Sequence, residues 1–489
     1  MEIEYKEWQI GVNEKYAQEV LVETTVETAE RGGAEKVLSL EAEVKPTSAE
    51  LLAGEAEIGG KVNYRVLYLD KQGRLCGLDY FKDFKCRVPG EKITPSGKCN
   101  VSFEVPDAEA RLNDDRMELS CMVEAEIAYY GEQTQKAVAS IADAETRSKQ
   151  YPTQSITVQE SVLELEKVAE VGVGVKKIVL FGTEAVQTGV TLQEDGGKML
   201  NGEVRATVVY LNEADEPVEL TVNLPFSEKT EGTNAASYDV QVKNARIVLT
   251  DDEEGNSVEV EITLVVKQTT WEEKMVTVFD AAIGEKTEIV EGFAETSARL
   301  LAGKHCFEQK LTGALPFAEQ NLYVVAVRPG SHAIAGTEVS DGKIKIEGVA
   351  AFRVIVKGDA GYDSTQGEFP FAFTFDCADA KAGETAEVSM KITDAKATYD
   401  GKEIRVEANA CFEVVLVREA AVRYLAEASE GAPLPENEAG ISVYFAEKGE
   451  DVWEIAGSMG VLPSALLAAN PFLQEPLTEN KKVLIFRKK

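Results

Sequence analysis

Two histidines, His305 and His332, are the only side chains in this 489-residue chain whose ordinary pKa suits proton transfer near neutral pH. Neither has a nucleophile motif beside it. His305 precedes Cys306, but neighbouring side chains in a strand point to opposite faces and do not share a site. The seven cysteines, Cys76, Cys86, Cys99, Cys121, Cys306, Cys377 and Cys411, are scattered and never spaced C-x-x-C. That pattern fits free thiols in a reducing compartment. Neither G-x-x-x-x-G-K-[ST] nor H-E-x-x-H occurs, and Gly172-Val173-Gly174 has no following glycine to complete a dinucleotide fingerprint. The expectation is that the protein is not an enzyme, with no catalytic residue, no cofactor and no metal. Trp453 offers recognition instead of turnover, because an indole beside a loop can anchor either a sugar face or a protein pocket.

The elements that would position Trp453 follow from composition and period. Fifty-one basic residues against 85 acidic ones give a net charge of −34, which argues against nucleic acid as a partner. At 44% apolar and 28% charged, the chain has the composition of a folded protein. No apolar run reaches transmembrane length, and Met1-Glu2-Ile3-Glu4-Tyr5-Lys6-Glu7-Trp8 lacks the basic start and apolar stretch of a secretory signal. A soluble, cytoplasmic protein is expected.

An internal repeat organises most of the length. Gly60-Lys61-Val62-Asn63-Tyr64-Arg65-Val66-Leu67-Tyr68 returns in altered form from Gly202 to Tyr210 and from Gly348 to Val356, at offsets of 142 and 146 residues. Alternating apolar residues give each segment one buried face: Val62, Tyr64, Val66 and Tyr68; Val204, Ala206, Val208 and Tyr210; Ala350, Phe352, Val354 and Val356. Later strands repeat the pattern from Leu119 to Ile127, Val258 to Val266 and Ile404 to Val414. Turn signals at Asp70-Lys71-Gln72-Gly73, Glu194-Asp195-Gly196-Gly197, 251–255, Asp341-Gly342 and Asp400-Gly401 separate them. The fold class is mainly β: three tandem β-sandwich-like domains at 12–150, 151–296 and 297–425, strung out to give reach. A linker at 426–440, rich in Pro, Glu and Gly, and a small βααβ domain at 441–489 complete the chain.

The last 49 residues carry six acidic and six basic residues, so the negative charge belongs to the rest. Ile441-Ser442-Val443-Tyr444-Phe445 reads as a strand. Asp451 with Glu454 makes a capping box for a helix whose Val452, Ile455, Ala456 and Met459 share a face, with Trp453 off that stripe. Gly460 closes it, Pro463 starts a second helix that Asn470-Pro471 stops, and Lys482-Val483-Leu484-Ile485-Phe486 returns as a strand. Arg487-Lys488-Lys489 reads as a frayed terminus.

The run from Tyr444 to Phe486, with Lys448-Gly449-Glu450-Asp451-Val452-Trp453, Gly460-Val461, Leu466-Leu467 and Asn470-Pro471, resembles a LysM domain. That resemblance implies a βααβ unit with a groove between two loops, placing partner or glycan contacts at Gly449, Glu450, Asp451, Val452, Trp453, Asn470, Pro471 and Phe472. Glu450-Asp451-Val452 and Thr478-Glu479-Asn480-Lys481 depart from the Asp-Thr-Leu and Pro-Gly-Gln of that family. The repeats, clearest in the first copy with Glu19-Val20-Leu21-Val22-Glu23 and Val37 to Val44, resemble the SPOCS domain of spore-forming Firmicutes. Together they resemble the SipL family of spore-coat morphogenesis proteins. The resemblance implies an adaptor in the mother-cell cytoplasm at the forespore surface, with no transmembrane segment, whose LysM unit binds the stage IV coat-morphogenetic ATPase. The alternative is a cell-wall or cortex protein binding peptidoglycan or a chitin-like N-acetylglucosamine polymer.

Overall fold

A computed structural model describes residues 2–170, 174–192, 198–230, 236–252, 255–317, 321–434, 440–473 and 477–486. The expected turns at 194–197 and 251–255 therefore lie wholly or partly outside the described residues. So do Gly172-Val173, most of the final 435–440 stretch, and Arg487-Lys488-Lys489.

Antiparallel strands dominate. β1 (Ile3–Glu27), β2 (Lys36–Leu52), β3 (Glu55–Leu69), β4 (Leu75–Pro89), β5 (Lys98–Asn113) and β6 (Arg116–Ile141) form two sheets, ordered β1-β6-β5 and β2-β3-β4. The next six are β7 (Ala144–Glu170), β8 (Val175–Leu192), β9 (Lys198–Asn212), β10 (Pro217–Thr230), β11 (Ala236–Asp252) and β12 (Gly255–Gly284). They pair as β7-β12-β11 and β8-β9-β10. The last six in the body are β13 (Thr287–Pro316), β14 (Tyr323–Ser340), β15 (Lys343–Gly358), β16 (Gly361–Asp376), β17 (Thr385–Tyr399) and β18 (Glu403–Pro433), paired as β13-β18-β17 and β14-β15-β16. One strand order thus appears in each set of six. At the end β19 (Ile441–Ala446) pairs with β20 (Lys481–Phe486), and α1 (Val452–Met459) and α2 (Pro463–Ala469) lie between them in sequence.

Alternation explains the central strands. In β6, Met117, Leu119, Cys121, Val123, Ala125, Ile127 and Tyr129 are all buried while the residues between them are partly or fully exposed. β12 does the same from Val258 to Val266 except at Val265, and β18 from Ile404 to Val414 except at Cys411, both of which are buried as well. Their apolar faces pack against the facing sheet, as where Ile404, Val406 and Phe412 of β18 meet Ile344, Phe352 and Phe371 of β15 and β16. The tight turns need left-handed backbone at Gly342 (φ 76°) and Gly401 (φ 94°), where glycine has no Cβ to clash.

The sets of strands do not string out to give reach. Leu67, Val209 and Ile355 occupy the phase opposite the expected buried face, yet all three are buried. They join Leu38, Leu75, Val179, Leu180, Leu211, Val325 and Ala326 in one apolar cluster drawn from all three sets. A second cluster joins Trp8, Ile10, Tyr151, Val278, Leu300 and Tyr424. Hydrogen bonds close the circuit: Gly11 N to Thr153 Oγ1 (3.0 Å), Leu301 N to Gln154 Oε1 (2.7 Å), and Tyr424 Oη to Gln135 Oε1 (2.9 Å). The approach at Gly77 is so close that a Cβ there would lie 1.7 Å from the Val179 carbonyl oxygen.

Two expectations need correction. β7, β13 and β18 run unbroken through 150/151, 296/297 and 425/426, so the breaks between strand sets fall at 142–143 and 285–286, and 426–433 is strand rather than linker. Pairing supplies the reason: Glu291 faces Ala428 and Gly292 faces Glu427, so β13 holds a segment whose composition alone reads as loose. The cysteines are not all free thiols. Cys306 and Cys411, diagonal neighbours on one face of β13 and β18, are joined in a disulfide with Cα atoms 6.5 Å apart, and the other five are free. The first four fall into two separate cores, Cys76 with Cys121 and Cys86 with Cys99.

Candidate functional site

The terminal unit has its own core of Ala446, Val452, Ile455, Ala456, Leu466, Leu473, Leu477, Val483 and Ile485. α1 begins where the Asp451 carboxylate accepts the Trp453 amide at 2.8 Å and Glu454 reaches back to the Asp451 amide at 3.4 Å, a capping box that satisfies two otherwise unpaired donors. Gly460 ends it in the left-handed region at φ 61°. α2 starts with Pro463 at its first position, but its N-cap is Leu462, whose side chain has no oxygen to offer the amides that follow.

The residues singled out in the two loops divide by burial. Val452 and Asn470 are each 0% exposed. Val452 is core. Asn470 Nδ2 donates to the carbonyls of Leu466 (2.9 Å) and Leu484 (2.6 Å), and its Oδ1 accepts the Leu484 amide at 2.7 Å, so it ties α2 to β20. Glu450 folds back on its own loop, accepting from Tyr444 Oη at 3.0 Å and the Glu447 amide at 2.9 Å. That carboxylate raises the Tyr444 pKa above its ordinary value. Gly449 donates its amide to the Leu477 carbonyl at 2.8 Å. The described hydrogen bonds of the first loop thus lead to 477–480, also through Lys448 N to Asn480 Oδ1 (2.7 Å), not to 470–472. Pro471 and Phe472 are exposed, with Lys481 Nζ 5.4 Å from the Phe472 ring centre. Asp451 and Trp453 are half-buried.

Sequence reasoning missed two features. Ile441, Val443 and Phe445 share the outward face of β19 and, with Leu484 of β20, leave an apolar sheet surface open; Phe445 is 68% exposed. Its signal was visible, since these three alternate with Ser442 and Tyr444. The other feature lies in the body. Arg147 of β7 pairs with Asp280 of β12 at 2.8 Å and with Asp451, and its guanidinium sits 5.8 Å from the Trp453 ring centre. Nothing local in the sequence links residues so far apart.

Outside this unit the histidines are absorbed by packing. His305 stacks on Phe307, and burial lowers the His332 pKa, so its ring stays neutral. Among the described residues no cluster of His, Cys, Asp and Glu side chains is arranged to hold a metal ion. Nor is any single described helix long and apolar enough to cross a membrane.

Residues 34–113 match the family model described as SipL, SPOCS domain, which spans β2 through β5 and the two residues before them. Over that segment the chain is SipL-like. Comparison with curated proteins and with solved structures yields no match.

Proposed function

We propose that the chain is a non-enzymatic adaptor in spore-coat assembly. The match of residues 34–113 to the SipL SPOCS model carries this reading. The recurrence of one strand order in three sets supports extending the SPOCS assignment to the second and third. The terminal βααβ unit is read as a LysM-type head that binds the coat-morphogenetic ATPase of sporulation, with Trp453 and the neighbouring loop at the contact. A half-buried indole beside a polar loop has the chemistry of an interface anchor. The site of action is the mother-cell side of the forespore surface, reached through partners.

The test uses the whole chain. Purified protein, with and without Trp453→Ala, is titrated with the ATPase and in parallel mixed with insoluble peptidoglycan. Saturable ATPase binding weakened by the substitution supports the adaptor. Pelleting with the glycan and no ATPase binding reverses the reading in favour of a wall-binding protein.

A further inference from the structure

The body meets the terminal unit at the starts of both helices and on the side of α1. Arg147 donates to Asp280 through Nε and to the Asp451 carboxylate through Nη1. Asp451 is therefore shared: one oxygen caps α1 through the Trp453 amide and the other meets the body. Glu145, two residues earlier on β7, accepts the Ser464 amide at 2.9 Å and also takes the Ser464 hydroxyl. The first amides of a helix have no acceptor within it, and Leu462 provides none, so a carboxylate of the body does the capping that α2 lacks. Ile283 of β12, paired with Glu145 in the β7–β12 register, packs against the core of the terminal unit beside α1. Gly457 faces it, and a Cβ there would stand in ordinary contact 3.7 Å from Ile283 Cδ1, so only a longer side chain would push the two apart.

From this geometry we infer that the body masks its own head: Glu145, Arg147 and Ile283 hold Asp451 and Trp453 in a docked state, and a partner that uses that surface binds only after exchanging with the body. The inference rests on the proposed adaptor reading for the partner's identity, but not for the docking itself. The contact suits an exchangeable role. The ion pair that crosses this partly exposed seam, Arg147 to Asp451, is weak and screened by salt, and Ile283 adds an apolar contact beside it. The open sheet face of Ile441, Val443 and Phe445 stays outside the seam and is available in either state.

The experiment breaks the seam from each side in the full chain, by Arg147→Glu on the body and Gly457→Arg on α1. Hydrogen exchange across 462–466 reads docking directly, because the Ser464 amide has its acceptor in the body. Both variants, and high salt with the unaltered chain, are expected to speed exchange there by roughly tenfold or more while the body strands keep their protection. ATPase affinity should then rise roughly five- to tenfold, since a partner no longer competes with the docked fraction. Unchanged exchange in both variants overturns the docking. Faster exchange with no gain in affinity overturns the masking. Failure of every form to bind the ATPase sinks the adaptor reading and the masking of that partner, leaving the exchange result to decide docking alone.

Discussion

Asn470 and Leu484 exchange two hydrogen bonds, side-chain amide to carbonyl at 2.6 Å and backbone amide to side-chain oxygen at 2.7 Å, so one buried residue locks the second helix of the terminal unit to its last strand. Asn470→Ala would leave both Leu484 groups without that partner. Each buried polar group left bare costs about 1–3 kcal/mol, so the unit should lose at least about 2 kcal/mol. Hydrogen exchange at Leu484 in the full chain, accelerated accordingly, is the check; Asn470→Asp, which keeps an acceptor but no donor, should fall between.

Leu67 is predicted to matter to all three strand sets. Truncating a fully buried leucine costs about 2–5 kcal/mol, and this one sits in the cluster shared with Val209 and Ile355. Leu67→Ala should shift one cooperative unfolding transition downward as a whole. A scan in which only one third of the body melts early would mean that the sets are independent.

Glu184 gives the body a pH dependence. Loss of hydration raises its pKa to about 7, Lys391 and nearby arginines offsetting only part of that. Between the ordinary carboxylate range and about 7 the folded chain keeps a proton there that the unfolded chain has released. Stability therefore falls as pH rises through that window and is level above it. Denaturant midpoints at mildly acidic and mildly alkaline pH should show this slope, and Glu184→Gln should flatten it.

Thiol counting tests the Cys306–Cys411 link. Alkylation in denaturant without reductant should add five adducts, matching the five free cysteines. Reduction first should make all seven react. Seven adducts without reductant would remove the disulfide.

The sequence revealed what depends on near neighbours. Alternation marked the central strands through Leu119 and Val258, and the Asp451–Glu454 spacing marked the start of α1, because a period or a cap is written within a few residues. What it could not show were pairings across the chain. Composition made 426–433 look like linker until β13 was seen to pair with it. Leu67 looked like the exposed phase of its strand because its apolar neighbours, Val209 and Ile355, come from the other two sets. In the loops, helical spacing placed Trp453 off the core stripe, but Arg147 opposite it belongs to a strand some three hundred residues earlier.

The circuit that returns Tyr424 to Trp8, their rings edge to face at 5.3 Å, also sets an order of events for the chain as it is made. The first strand leaves the ribosome with an indole whose neighbour is encoded near the far end of the body. Until that stretch emerges, the first two sets carry sticky flanks that only the third can cover, and a nascent chain stalled or cut short before it is an aggregation hazard. Chaperone demand should therefore peak late in translation and subside once the final sheet closes the loop.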